Sequence, residues 1–100
     1  MTYGLILRKA AEVDIHDAYL YYESCRQGLG QEFMLSLEAA VASISRSPGQ
    51  YRTVYKNVRR LVLQRFPYSI FFIIMRSQVI VLAVMHARRD PEHWQRRQEK

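Results

Sequence analysis

Two near-continuous apolar segments, 68–75 and 79–85, dominate the second half of the chain. Short runs of this kind, rich in β-branched and aromatic residues, are typical of strands that are covered on both faces or lie beneath helices. A connection of three residues, 76–78, separates the two runs and predicts an antiparallel hairpin. The rest of the chain must therefore supply elements that cover this pair of strands.

The first half of the chain predicts a strand followed by two helices. Residues 2–8 alternate in polarity, as in a short strand. Apolar residues then recur at helical spacing in two stretches separated by the turn sequence 27–30: Ala11, Ile15, Ala18, Tyr22 and Cys25, then Leu29, Phe33, Leu37, Ala40, Val41 and Ile44. Pro48 ends the second helix, and the short connection predicts that the two helices pair antiparallel.

The remaining segments complete a prediction of fold class. Residues 50–57 indicate a loop and residues 58–65 a strand, while 95–100 form a charged tail that we expect to fray. Asp90 and Pro91 have the residue types of a helix N-cap and first helical position. The sequence predicts one α+β domain over 1–100: an N-terminal strand, an antiparallel two-helix hairpin packed on a twisted, mainly antiparallel sheet, and a short C-terminal helix.

Charge and apolar run length limit the class of partner and compartment. The formal net charge is +6, which suggests an anionic partner, either nucleic acid or an acidic protein segment. No apolar run approaches the roughly 18 residues that a membrane helix needs. The N-terminus lacks the residue order of a signal peptide, and the single cysteine, Cys25, is expected to be a small buried residue. The expected location is the cytoplasm.

Three segments resemble the RelE/ParE superfamily, and within it the ParE branch: residues 59–63, the Arg-Phe-Pro-Tyr step at 65–68, and the stretch 82–91 followed by Trp94. This resemblance implies a toxin of a bacterial type II toxin–antitoxin module, of the kind linked to plasmid stabilisation. Its antitoxin would be ParD-like, with a tail that folds on binding. ParE toxins are associated with inhibition of DNA gyrase, whereas RelE toxins cleave messenger RNA in the ribosome.

The choice between these two activities depends on the C-terminal residues. RelE toxins usually carry a tyrosine close to the C-terminus, whereas the last tyrosine here is Tyr68. We therefore expect a gyrase inhibitor without catalytic residues. If the chain is instead an endoribonuclease, His86, Arg65 and Arg88 would supply the proton transfer and the positive charge that phosphate chemistry requires. No cofactor is expected, and the spacing of the histidines predicts no metal site.

Eleven residues are candidates for partner contacts. Those expected to bind the target are Arg59, Arg60, Arg65, His86, Arg88, Arg89 and Trp94, and those expected to bind the antitoxin are Tyr19, Tyr21, Tyr51 and Tyr55. Structural roles remain alternatives: Trp94 could fold the last helix onto the sheet, His86 could hold a loop, and Arg65 could fix the start of a strand. If Arg88 and Arg89 continue a strand, they point to opposite faces, so at most one serves any single surface.

Overall fold

The computed structural model describes residues 2–98 and confirms the predicted fold class. Its elements, in chain order, are β1 (Gly4–Leu7), α1 (Lys9–Cys25), α2 (Leu29–Arg46), β2 (Thr53–Tyr55), β3 (Val58–Val62), β4 (Tyr68–Met75), β5 (Gln78–His86) and α3 (Glu92–Gln98). The second helix ends before Pro48, as predicted, and a 3-10 turn over Pro48–Gln50 follows it. The helical hairpin and the two apolar strands lie where the sequence places them.

The five strands form one mixed sheet in the order β1-β5-β4-β3-β2. Strand β1 runs parallel to β5, and the other neighbours are antiparallel. The predicted loop over 50–57 is wrong in part, because Thr53–Tyr55 forms β2 and pairs with β3. A strand of three residues is too short to show an alternating pattern in the sequence. It forms because it can pair with the neighbouring strand β3.

The helices α1 and α2 cover one face of the sheet. Tyr22, Phe33 and Phe66 form an aromatic cluster there, with ring centroids 4.8–5.4 Å apart. The hairpin is tight at Gly30, where a Cβ atom would lie 2.8 Å from the ring of Tyr19. Glu23 accepts hydrogen bonds from the backbone N–H groups of Gly28 and Gly30, each at 3.0 Å, and so fixes the turn.

The opposite face of the sheet is covered by α3. Its Trp94 is 7% exposed and stacks on Phe71, with ring centroids 4.2 Å apart and planes 13° apart. The prediction of a frayed tail from Gln95 is wrong as far as Gln98, because the helix continues to that residue. Residues 99 and 100 lie outside the described part of the chain.

A bulge in β5 lies at the centre of the sheet. Phe71 pairs with Ala83 and Phe72 with Val81, so Leu82 is an extra residue on β5. Leu82 and Ala83 consequently both pack on the α3 side, although strand alternation would place them on opposite faces. The bulge thus shifts the face on which every later residue of β5 lies.

An ion pair satisfies the edge of β5 beyond the end of β1. The last β1 pair is Leu7 with Val81. Beyond it, Arg97 donates to the Leu82 carbonyl at 3.1 Å, and Asp14 accepts the Val84 N–H at 3.0 Å. Arg97 also donates to Asp14 through two nitrogens at 2.6 and 3.3 Å. These two side chains join α1 and α3 to the strand edge.

Cys25 is exposed, so the expectation of a buried cysteine is wrong. Tyr22 is the last buried residue of α1. The final turn of the helix therefore extends past the core, although its apolar spacing continues. Periodicity identifies the face of a helix but not where the surface beneath it ends.

Replacing Asp14 with Ala should lower the free energy of unfolding by about 2–4 kcal/mol, because it leaves the Arg97 charge and the Val84 N–H without their partner. Chemical denaturation measures the change. Glu92→Gln is the matched control, since the Glu92–Arg96 pair is exposed and should contribute about 0.5 kcal/mol or less. Equal effects of the two substitutions would contradict this role of Asp14.

Candidate functional site

Four predicted target-binding residues lie at one end of the sheet, where the β3–β4 connection meets the turn after β5. Tyr68 pairs with His86, and the Ala87 N–H donates to the Pro67 carbonyl at 2.7 Å. This contact holds the two connections together. We call the set Arg65, His86, Arg88 and Arg89 the basic end.

Arg88 and Arg89 are exposed and lie in a turn, because β5 ends at His86. The rule that neighbouring strand residues point to opposite faces therefore does not apply to them. Within residues 2–98, neither guanidinium has a hydrogen-bond or ion-pair partner. Asp90 does not pair with them; its carboxylate accepts the Glu92 N–H at 3.0 Å, as expected of a helix N-cap. The geometry of a strand therefore does not force these two side chains onto different surfaces.

His86 is half-buried and holds this turn. Its Nδ1 accepts the Arg88 N–H at 3.0 Å, and its ring packs edge-on against Tyr68 with centroids 5.4 Å apart. Burial raises the pKa of the Tyr68 hydroxyl above its ordinary value of 10.0, and Arg89 partly offsets this increase. Tyr68 therefore stays protonated near neutral pH.

Arg65 is exposed and joins the β3–β4 connection to α2. It donates to Glu32 at 2.8 Å, and Arg26 donates to the other oxygen of the same carboxylate at 3.1 Å. The Arg65 guanidinium also lies 5.6 Å from the ring centroid of Phe66. The hydrogen bond from Arg65, followed by that from Arg26, lowers the pKa of Glu32 below 4.5 although burial acts in the opposite direction.

The other three predicted target residues lie elsewhere. Arg59 is half-buried and donates to the backbone carbonyls of Tyr51 at 2.6 Å and Gly49 at 3.3 Å, so it fastens the segment after α2 to β3. Arg60 is exposed in the middle of β3, where it pairs with Phe71. Trp94 lies on α3 and is buried against the sheet. Their roles in target binding stay predictions.

The four predicted antitoxin contacts lie on different elements. Tyr51 packs on the helical side of the sheet and Tyr55 on the α3 side. The hydroxyl groups of Tyr51 and Ser43 are 2.6 Å apart. On α1, Tyr19 covers Gly30, whereas Tyr21 is 59% exposed.

A groove of about 590 Å³ between α2 and β3, which we call the α2–β3 groove, was not predicted. Its lining includes Leu35, Ala39, Ala40, Ser43, Tyr51, Leu61, Val62, Leu63 and Arg65. Leu35 and Val62 are 57% and 56% exposed. Neither belongs to the set of residues that its helix or strand buries in the core. Apolar residues on the solvent-facing side of an element are therefore the sequence signal that could have predicted this groove.

Across residues 2–98, no three His, Cys, Asp or Glu side chains are grouped as a metal ion would need. None of the helices in this range combines the length and apolar character that crossing a membrane requires.

A family model described as the ParE toxin of the type II toxin–antitoxin system parDE matches residues 5–91. The match spans the helical hairpin, the sheet and the basic end. The chain therefore belongs to the ParE toxin family, and it is a ParE/RelE-type toxin of a type II toxin–antitoxin system. A search of curated proteins found no match.

Solved structures resemble the fold. The chromosomal ParDE system from P. aeruginosa matches with a TM-score of 0.76 and 18% identity, over 85% of this chain and 96% of that chain. The RelBE2 toxin–antitoxin complex from Mycobacterium tuberculosis matches with a TM-score of 0.58 and 17% identity, over 86% of this chain and 99% of that chain. At these identities the resemblance establishes the fold alone.

Replacing Arg65 with Gln should raise the pKa of Glu32 towards 4.5, and by more than Arg26→Gln does, since the Arg65 hydrogen bond is the larger cause of its depression. A carboxyl-detected NMR titration measures both shifts. Because the folded pKa is the lower one, the contribution of Glu32 to stability is fully present above pH 4.5 and is lost as the pH falls through the folded value. An unchanged midpoint in Arg65→Gln would contradict the assignment.

Proposed function

We propose that this toxin inhibits DNA gyrase by binding it through the basic end. The observation that carries the proposal is the pair of exposed guanidinium groups, Arg88 and Arg89, on a turn that His86 and Pro67 hold in place. Charges without an internal partner are available to an anionic or polar surface of another molecule. The membership of the chain in the ParE family supports gyrase as that molecule.

The geometry favours binding over catalysis. RNA cleavage needs a base for the 2′-hydroxyl, cations for the charged transition state and an acid for the leaving oxygen. At the basic end, Nδ1 of His86 is engaged by the Arg88 N–H, and burial raises the pKa of Tyr68. The remaining C-terminal aromatic residue, Trp94, is buried. Cations are plentiful there, but Nδ1 of His86 is committed to the turn and the raised pKa keeps Tyr68 in its neutral form.

Ribosome-dependent cleavage of messenger RNA is the second candidate. The observation in its favour is that His86 presents a second ring nitrogen, Nε2, at the same end of the sheet as Arg65 and Arg88. A single imidazole between cations could move a proton to or from RNA. In this case His86 would be essential, whereas a binding mechanism requires only that the turn keep its shape.

The double substitution Arg88→Ala and Arg89→Ala should raise the concentration needed to inhibit gyrase supercoiling by about tenfold or more, because it removes both charges from the contact. Unfolding should be unchanged, since neither side chain has a partner within residues 2–98. Arg46→Ala is the matched control: Arg46 is an exposed cation in the last turn of α2, beside the Ser45–Tyr3 contact and away from the basic end.

Two outcomes would count against gyrase inhibition. If the pure toxin leaves supercoiling unaffected, gyrase is not its target. If expression instead produces codon-positioned cuts in transcripts, and His86→Ala abolishes them, the toxin acts as a ribosome-dependent nuclease. Equal loss of gyrase inhibition in the Arg46 control would show a general charge effect.

We further propose that a cognate ParD-like antitoxin covers the α2–β3 groove. Leu35 exposes apolar surface there, Leu61 faces the helical side of the sheet beside it, and Arg65 lies at the rim. An acidic, apolar tail that folds on binding would bury the first two and approach the third. Both similar structures belong to toxin–antitoxin systems, the ParDE system and the RelBE2 complex, which supports a partner of this kind.

Replacing Leu35 with Asp should weaken antitoxin binding by at least about tenfold, since it places a charge in an apolar contact and faces an acidic tail. The variant should fold, because Leu35 is 57% exposed. Calorimetric titration measures affinity, and the antitoxin-induced thermal shift provides a second readout. Met75→Asp is the control, at a side chain 50% exposed at the far end of β4. Equal losses in both variants would refute the assignment of this groove.

A further inference from the structure

A second groove, of about 420 Å³, lies beside β1, between the start of α1 and the second half of α2. Its floor is apolar and includes Leu7, Ile15, Leu37 and Val41, while Glu12 and Glu38 are the charged residues of its lining. We call it the β1 groove. Neither the proposed target contact nor the proposed antitoxin contact uses it.

The backbone of β1 continues this groove as an open sheet edge. Gly4 donates to the Ser77 carbonyl just before β5, and Arg8 donates to the Val81 carbonyl of β5, each at 3.1 Å, so alternate residues along β1 face β5. Tyr3 faces the other way, and its N–H and carbonyl are both taken by Ser45 of α2, at 2.9 and 2.7 Å. Leu5 and Leu7 follow on that same outward side, and no described strand lies beyond β1. Their backbone groups are available to another strand.

The side chains of β1 make the surface along this edge apolar. Leu5 and Ile6 are 38% and 41% exposed, and no charged side chain interrupts β1. Leu7 packs with the helical core, whereas Ile6 pairs with Ile80, which packs with the α3 side. Edge strands of this kind ordinarily carry charges or a cover that discourages pairing. The β1 edge therefore has the character of a strand-binding surface.

The carboxylates indicate the charge of the occupant. Within residues 2–98, Glu12 and Glu38 have no side-chain hydrogen bond or ion pair, in a chain whose formal net charge is +6. In the α2–β3 groove, by contrast, Glu32 is paired with Arg65 at 2.8 Å. Charge complementarity therefore directs a cation to the β1 groove and works against an acidic tail there.

We propose that the β1 edge and the β1 groove dock an extended, apolar and positively charged segment of a partner protein. The segment adds a strand beside Leu5 and Leu7, places an apolar side chain over the groove, and directs its cations to Glu12 and Glu38. This surface is separate from the basic end and from the α2–β3 groove. A partner bound here leaves both of them accessible.

A second copy of the chain fits this edge less well. An antiparallel β1–β1 pair centred on Ile6 would place Lys9 of each copy opposite Tyr3 of the other. Tyr3 is bonded to Ser45, so this cation would lie next to Arg46. Like charges would then meet at both ends of a contact that only 5–7 can make.

NMR titration of the ¹⁵N-labelled full chain tests the proposal. The probe is the peptide acetyl-Lys-Ile-Val-Ile-Lys-amide, which presents two cations and a central valine on one face. The control peptide replaces both lysines with glutamates. We expect the largest amide shifts at Leu5 and Leu7 with the cationic peptide, and binding about three- to tenfold weaker in the double variant Glu12→Gln and Glu38→Gln. Glu92→Gln, an exposed carboxylate on α3, should leave the affinity unchanged.

Three outcomes would overturn the proposal. The absence of β1 shifts at millimolar cationic peptide would show that the edge does not accept a strand. Equal binding of the acidic peptide would refute the role of Glu12 and Glu38. Concentration-dependent shifts at Leu5 and Leu7 without any peptide would assign the edge to a second copy instead. Backbone N-methylation of the central valine gives a further check, because it should remove binding that depends on strand hydrogen bonds.

Discussion

The ion pair between Asp14 and Arg97 joins α1 to α3 across the edge of β5, beside the hydrogen bond that Arg8 donates to the Arg97 carbonyl at 3.0 Å. That strand borders β1 and β4, and both α1 and α3 pack against it. Beyond Val81 its edge would expose a carbonyl at Leu82 and an N–H at Val84. Arg97 and Asp14 take these two groups and each other, at 2.6–3.3 Å. A helix from each face of the sheet therefore substitutes for the missing continuation of β1.

The bulge in β5 lies beside this ion pair and determines which residues face each other at the basic end. Because Leu82 is an extra residue, Ala83 shares its face and Val84 returns to the helical side. His86 then comes to lie against Tyr68, and the Ala87 N–H reaches the Pro67 carbonyl. Without the bulge, every residue after Leu82 would point to the other face. The position of the exposed arginines is thus set by a strand irregularity several residues earlier.

The sequence predicts the long, strongly periodic elements well and the short or cooperative features poorly. α2, β4 and β5 carry enough apolar residues that their pattern determines their type. β2 has three residues and depends on β3 for its pairing. Asp14 looks like an ordinary acidic residue in the early part of a helix, and Arg97 like part of a charged tail. Nothing local indicates that residues so far apart share one hydrogen-bonded edge.

The same limit applies to the candidate site. Arg65, His86, Arg88 and Arg89 are predicted to bind a target, and the strand pairing does bring them to one end. Arg59 and Trp94 are predicted to bind the target as well, but the structure commits Arg59 to backbone carbonyls and Trp94 to the ring of Phe71. Residue type predicts what a side chain could bind, whereas burial decides whether it is available. That distinction requires the packed structure.

The three exposed surfaces, namely the basic end, the α2–β3 groove and the β1 groove, differ in the charge that is left unpaired on them. Among residues 2–98, Arg88 and Arg89 of the basic end have guanidinium groups without partners, the α2–β3 groove carries a paired carboxylate, and the β1 groove carries two carboxylates without partners. The chain has a net charge of +6, so unpaired carboxylates beside apolar residues run against its overall charge. They favour a positively charged partner at the β1 groove, whereas the basic end and the α2–β3 groove favour negatively charged ones. An acidic antitoxin and a cationic strand would consequently not compete for one surface. The toxin could hold both, because their binding sites lie at opposite edges of the same sheet.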